Sequence, residues 1–309
     1  MTYFLNVPAV QAFLESQQIL ARHFQPQPKI DLEILSRLPS ATQSGRPRLL
    51  FVHGINVGAW IWDEHFLRFF ADAGFESYAV SLRGHGESGG HDGISNWRLA
   101  DYTADLDQAV RQLGEGPLVV IGHSLGGAVV QNWLRTCGKP LAAALLGSVP
   151  PWGLAHAAWQ MWHQHPELFR EVARMSLFGT KAADAKVLRD YLFSDDMSDA
   201  AITRFANRVQ EESRRVAMEL QGWMPVAPLP WRAPPMFVLG GMQDRLVPHG
   251  EVARTARYYG SQATLIDQLA HVMMLEPRWE QAANALLSWL IGLGAKRGRQ
   301  NVDELEIAR

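Results

Sequence analysis

Residues Val119–Leu134 read VVIGHSLGGAVVQNWL, a β-branched run that stops at Gly122-His123-Ser124-Leu125-Gly126 and resumes with the spacing of an amphipathic helix. A strand that turns straight into a helix puts its corner residue, Ser124, in an uncommon backbone conformation, and neighbours without side chains relieve the crowding. Gly122 and Gly126 stand where that relief is needed. The turn lifts the Ser124 hydroxyl above the strand end, over a helix whose first N–H groups are unpaired and carry partial positive charge. This pattern, G-x-S-x-G between strand and helix, is a nucleophile elbow, beside which a developing oxyanion would be stabilised.

Working outward, strand and helix patterns alternate. RLLFV (Arg48–Val52) predicts a buried strand, followed by a loop and the helical run AWIWDEHFLRFFADAG. ESYAVSL, PLVVIG and LAAALLGSV predict further strands, with RLADYTADLDQAVRQLG and the run after Ser124 as helices between them. Near-continuous apolar strands separated by helices imply a parallel sheet covered on both faces, the α/β doubly wound class. Ligands of such sheets sit at the carboxyl ends of the strands. Gly54, Gly84 and Ser124 fall at such ends, so one crevice should collect them.

The alternation stops over residues 150–232, which are helical in pattern and rich in Trp, Met and Phe; they read as an inserted helical cap. It resumes with PMFVLGG, HGEVARTARYYG, ATLIDQL and the helix PRWEQAANALLSWLIGL. The core is thus expected at 30–149 and 233–293, with a strand at IDLEIL (Ile30–Leu35) and a mobile tail over 294–309. Within 1–29 the residues Val10, Phe13, Leu14 and Phe24 share one helical face, which could pack on the globule or meet a lipid surface.

A serine hydroxyl needs a base to take its proton, and the base needs a carboxylate to fix its tautomer and offset the charge it acquires. Asp244 follows the strand PMFVLGG, and His271 follows ATLIDQL. The order Ser124, Asp244, His271 is the one expected for this elbow. Asp267 is a competing carboxylate, and a third position for the acid, after an earlier strand, is occupied by Gly147-Ser148. His53 and His123 read as structural, and His85 as tying its loop.

FVHGINVGAW, SLRGHGES, VIGHSLGG, DRLVP and AHVMMLEP, in this order and spacing, resemble the α/β-hydrolase family over about residues 30–292. The resemblance implies Ser124 as nucleophile, His271 as general base and acid, and Asp244 as the orienting acid. It assigns the oxyanion donors to the backbone N–H groups of Ile55 and Leu125. Relatives that cleave carbon–halogen bonds or epoxides carry an aspartate where this chain has Ser124. Relatives also carry an acidic residue where Ser81 stands, which leaves the bonding of the R-G-H-G loop open.

The 309 residues are 47% apolar with a formal net charge of −2, an ordinary globular composition that excludes a polybasic nucleic-acid binder. The cluster Lys296–Arg299 is followed at once by acidic residues and reads as a solvated tail. The single Cys137 makes no internal disulfide, no Cys or His spacing suggests a metal, and no apolar run is long enough for a bilayer. With no basic, apolar leader at the N-terminus, these features point to the cytoplasm. The expectation is a cofactor-free serine hydrolase acting on a small to medium apolar carboxylic ester. Trp60, Trp152 and Val272 are candidate substrate contacts, and Trp159, Met161, Trp162, Phe169, Phe178 and Trp223 could line the pocket or form the cap's own core. A thioesterase, a hydrolase of carbon–carbon bonds in diketones, and a non-catalytic binder of an apolar ligand remain open alternatives.

Overall fold

The computed structural model describes residues 29–41, 45–178, 185–221 and 226–307. The helix expected within 1–29 lies outside the described residues, apart from Lys29. The strands β2 (Arg48–Val52), β4 (Leu118–His123), β5 (Ala142–Leu146) and β6 (Met236–Gly241) are unbroken buried runs. Such runs need cover on both faces, which parallel strands joined by helical crossovers provide. With β1 (Ile34–Arg37), β3 (Ser77–Val80) and β7 (Ala263–Ile266) they form a seven-stranded sheet in the order β1-β3-β2-β4-β5-β6-β7. All neighbours pair in parallel except β1, which is antiparallel to β3.

Alternate strand residues feed two cores. Leu49, Phe51, Ile121 and Ala144 pack with Trp62 of α1 (Trp60–Asp63), Phe66 and Phe70 of α2 (Phe66–Asp72), and Leu286 of the C-terminal helix Trp279–Ile307. Leu50, Val52, Val120 and Leu145 pack with Tyr102 and Leu106 of α3 (Leu99–Leu113), Val129 of α4 (Leu125–Thr136), and Val252 of the helix His249–Tyr258. Between β5 and β6 stand α5 (Ala155–Gln164), α6 (Pro166–Phe178), α7 (Ala185–Leu192), α8 (Asp199–Ala206) and α9 (Arg214–Gln221). The helices His249–Tyr258 and Trp279–Ile307 follow as α10 and α11. Among the described residues, no helix is long and apolar enough to cross a membrane.

The chain winds from β2 outward to β3, then returns to β4 on the other side of β2. Loops leaving β2 and β4 therefore diverge, and the crevice at their carboxyl ends is where an open α/β sheet binds ligands.

Three elements depart from expectation. The alternating run Ile30–Leu35 is not one strand: Ile30 O accepts from the Gln108 side chain and Asp31 O from Gly89 N, so only Ile34–Arg37 pairs with β3. The helical run from Ala59 to Gly74 breaks between α1 and α2 at Glu64-His65. Beyond Gly294, where a mobile tail was expected, α11 continues to Ile307. The Ala, Lys, Arg, Gln, Leu and Glu residues of that segment favour helix by intrinsic propensity, without an apolar stripe.

The loop after β3 is fixed by a buried charge pair. Asp105 of α3 accepts from the Arg83 backbone N–H at 2.9 Å and from its guanidinium at 2.6 and 3.0 Å, with both side chains withdrawn from solvent. Asp105→Ala leaves the guanidinium buried without its carboxylate, and urea denaturation should record a loss of about 3–5 kcal/mol.

Candidate active site

Ser124 joins β4 to α4 with φ 51° and ψ −117°, the strained corner that the motif predicts. The backbone around it fixes that conformation: Ser124 N–H donates to Leu146 O at 3.1 Å, and Ser124 O accepts from Gly127 N and Val149 N at 3.0 and 3.1 Å. The close approach of β2, β4 and α4 explains the flanking glycines. A Cβ on Gly126 would stand 2.4 Å from the carbonyl oxygens of Val52 and His53, and one on Gly122 would stand 2.5 Å from Gly126 O.

Asp244 and His271, 27 residues apart, meet at the same strand ends: His271 Nδ1–H donates to Asp244 Oδ2 at 2.8 Å. Leu246 N and Val247 N donate to Asp244 Oδ1 at 2.9 and 2.8 Å, fixing the carboxylate's other oxygen. A carboxylate at Nδ1 assigns the ring proton there and leaves Nε2 as the acceptor. Nε2 is buried and has no hydrogen-bond partner among the described residues. The His271 backbone oxygen accepts from His123 Nε2–H at 2.9 Å, so the elbow itself holds the histidine loop. The rival carboxylate Asp267 is exposed, and Ser148 Oγ is spent on Val149 O at 2.8 Å.

Ser124 and His271 line one cavity of about 470 Å³, the size of a small-molecule site. Ile55, Leu125 and Val272 line it too. Between β5 and β6, Leu154 and the helical residues Ala157, Met161, Leu168, Phe169 and Val172 give it a largely apolar wall, with Glu212 and Arg214 among the polar residues that the same segment adds. A buried imidazole with an unpartnered Nε2, a carboxylate behind it and a serine lining the same cavity are the groups that base-assisted deprotonation of a hydroxyl uses, and no hydrogen bond joins Ser124 to that nitrogen.

Two expected contacts are elsewhere. Trp60 lies outside this cavity, on a separate one of about 60 Å³, with the Arg208 guanidinium 3.9 Å from its ring centroid. Trp152 donates its indole N–H to Glu251 at 3.0 Å and carries Arg254 over its ring, a structural anchor. Composition identified aromatic residues but not which way they point. Trp159 and Trp162 are 60% and 57% exposed, whereas Met161 and Phe169 of the same group do line the cavity. Phe178 and Trp223 lie outside the described side chains.

The open question at Ser81 has a long-range answer. Ser81 Oγ–H donates to Glu33 Oε2 at 2.6 Å and accepts from Ala59 N at 2.8 Å, while Glu87 N donates to the same carboxylate oxygen at 3.2 Å. Glu33 thus brings an acid to the R-G-H-G loop from the segment before β1. Sequence reading also missed Glu212, a residue of the cavity lining whose carboxylate meets His85, Tyr102 and Asn56.

A family model described as the alpha/beta hydrolase family matches residues 49–285. A non-heme haloperoxidase of Rhodococcus erythropolis is 36% identical over 114 residues, covering 35% of this chain and 39% of that protein. A bifunctional esterase/perhydrolase of Acinetobacter calcoaceticus is 36% identical over 111 residues, covering 34% of this chain and 38% of that protein. The chain therefore spans about two fifths of the length of these curated relatives. Among solved structures, a malate-bound thermophilic esterase from Thermogutta terrifontis superposes with a TM-score of 0.66 over 86% of this chain and 94% of that one. At 21% identity this is a likeness of fold.

The contacts at Gly126 are with backbone atoms, which cannot swing aside. Gly126→Ala must push α4 away from β2, and a shift of the urea midpoint equivalent to at least ~1–3 kcal/mol of lost stability is expected.

Proposed function

Because this chain belongs to the alpha/beta hydrolase family, we propose that it is a serine hydrolase cleaving small to medium apolar carboxylic esters through an acyl-enzyme on Ser124. The observation that carries the reading is the Asp244–His271 hydrogen bond of 2.8 Å, behind a free Nε2 in the cavity that Ser124 also lines.

In this reading the Ser124 oxygen attacks the ester carbonyl carbon while His271 Nε2 takes its proton. The carbonyl oxygen becomes an oxyanion held by the backbone N–H groups of Ile55 and Leu125, which is where an electrostatic site acts most strongly. Collapse breaks the bond to the alcohol oxygen, and the imidazolium returns its proton to that leaving group. Water then enters, gives a proton to His271 and attacks the acyl carbon. Collapse frees the acid, with the proton returned to Ser124. Asp244 keeps Nδ1 protonated and offsets the imidazolium charge in both halves.

The helices between β5 and β6 act as a cap. They bound the cavity with Ala157, Leu168 and Phe169, and such a wall suits an apolar acyl or alcohol group. The reaction as written uses no metal or organic cofactor.

A fluorophosphonate probe should label Ser124, and Ser124→Ala should abolish both labelling and ester turnover. A panel of chromogenic esters, acyl thioesters and diketones separates ester hydrolysis from thioester or carbon–carbon cleavage, and no turnover on any of them would favour a ligand binder. Turnover that survives in Ser124→Ala overturns the assignment. Asp244→Asn should keep the fold and lower kcat by about 10⁴-fold, the size expected when the histidine loses its orienting charge and tautomer.

A further inference from the structure

We propose that Glu212 is a positioning residue for the oxyanion loop: reaching from the cap, its carboxylate holds the backbone N–H of Asn56, the residue after Ile55. The inference rests on the serine-hydrolase reading and adds a residue that the catalytic motifs do not contain.

Asn56 turns the chain with φ 62°, a left-handed conformation that a non-glycine residue keeps only when its surroundings impose it. Residues 210–213 impose it. Gln210 N donates to Asn56 O at 2.8 Å, Asn56 Nδ2 donates to Gln210 O at 2.9 Å, and Asn56 N donates to Glu212 Oε2 at 3.3 Å. The carboxylate is itself fixed: Oε1 accepts from Tyr102 OH at 2.5 Å and from Ser213 N at 2.7 Å, and Oε2 lies 3.3 Å from His85 Nε2. His85 Nδ1 faces Arg83 O at 3.1 Å, and its Nε2 meets the Glu212 carboxylate as a close charge contact that does not have hydrogen-bond geometry. Burial alone would strip His85 of its proton, but the Glu212 carboxylate outweighs it and raises the pKa above the usual histidine value. Burial likewise opposes ionisation of Glu212, and His85 with the hydrogen-bond donors overcomes it, leaving the carboxyl below its usual range.

The charge pair meets a constraint specific to this place. Glu212 and Ser124 line the same cavity, where a lone carboxylate would oppose an oxyanion forming at the Ile55 N–H. A proton on His85, which the carboxylate favours, counters that charge from 3.3 Å, so the loop is held by an acceptor whose negative charge is offset away from the reacting carbonyl.

Glu212→Gln keeps the shape but offers one oxygen, which cannot accept from both Asn56 N and the Tyr102–Ser213 pair. A mispositioned oxyanion donor weakens the transition state and not ground-state binding. For Glu212→Gln, kcat on a chromogenic ester should fall between about tenfold and 10²-fold with KM within about twofold, less than the ~10²–10³ for a donor lost outright. The affinity of an alkyl boronic acid, whose adduct on Ser124 mimics the tetrahedral intermediate, should weaken by the same factor. Tyr102→Phe, which removes only a hydroxyl, should lower kcat in the same direction by a few-fold and gives the answer if Glu212→Gln does not fold. A lower melting temperature with kcat and boronate affinity unchanged in either folded variant overturns the proposal, because the contact would then only attach the cap. Failure of fluorophosphonate to label Ser124 in the unmodified protein overturns the hydrolase reading and this inference with it.

Discussion

The turn from β4 into α4 is the constraint on which the rest depends. Ser124 sits in a backbone conformation that costs about 1–3 kcal/mol, and the structure tolerates it because three backbone hydrogen bonds and two glycine approaches leave no other path. The same crowding joins the functional loops. Where Gly126 presses against the carbonyls of Val52 and His53, the end of β2 and the start of α4 share a floor. A Cβ on Gly54 would lie 3.1 Å from the Ser124 Cβ, which brings the loop carrying Ile55 alongside the hydroxyl. A looser turn would separate the proposed nucleophile from one of its two proposed oxyanion donors.

The inserted helices attach to the core at the segments that carry site groups. Trp152 and His156 bond to Glu251 of α10, just beyond Asp244. Leu192 O accepts from Val272 N, and Ser194 N donates to Glu276, so one junction grips the segment that follows His271. Gln210 and Glu212 grip Asn56, and Gln210 Oε1 also accepts from Gly86 N. Strain or motion in the insert is therefore passed to the segments that follow Asp244 and His271 and to the loop after β2.

Much of this architecture was legible in the chain because its signals are local. The apolar runs of β2, β4, β5 and β6 and the glycines around Ser124 carry their meaning within a few residues. Asp244 and His271, which the structure joins by a hydrogen bond, stand three and five residues after the ends of β6 and β7. What escaped depends on partners distant in sequence. Glu33 serves Ser81 from 48 residues away, and Glu212 reaches Tyr102 across 110, distances over which periodicity says nothing. Side-chain direction escaped for the same reason: Met161 and Trp162 are adjacent in α5, yet one lines the cavity and the other is largely exposed. The end of α11 escaped because helix propensity needs no apolar stripe to sustain a turn.

Four buried histidines surround the elbow, and their hydrogen-bond partners differ. His53 receives a hydrogen bond from Leu82 N at Nε2 and donates from Nδ1 to Gly54 O, so it is neutral, its pKa pushed down to about 3 by burial and by His85. His123 is neutral as well: burial, then the nearby His271, hold its pKa well below the ordinary value. Burial opposes a proton on His85, but the Glu212 carboxylate, with Arg83 O, raises its pKa above the ordinary histidine value. His271 alone combines a carboxylate at Nδ1 with an unpartnered Nε2. The His123 and His271 ring centroids are 4.8 Å apart. A cation on His123 would oppose an imidazolium on His271 by on the order of 3 kcal/mol at an effective dielectric of about 20. That would tax the proton transfer that each half of the proposed reaction requires. Neutrality at His123 therefore serves the proposed base it touches, while His85, the histidine whose surroundings favour a proton, packs 5.0 Å from the His53 ring beside the carboxylate that compensates that charge.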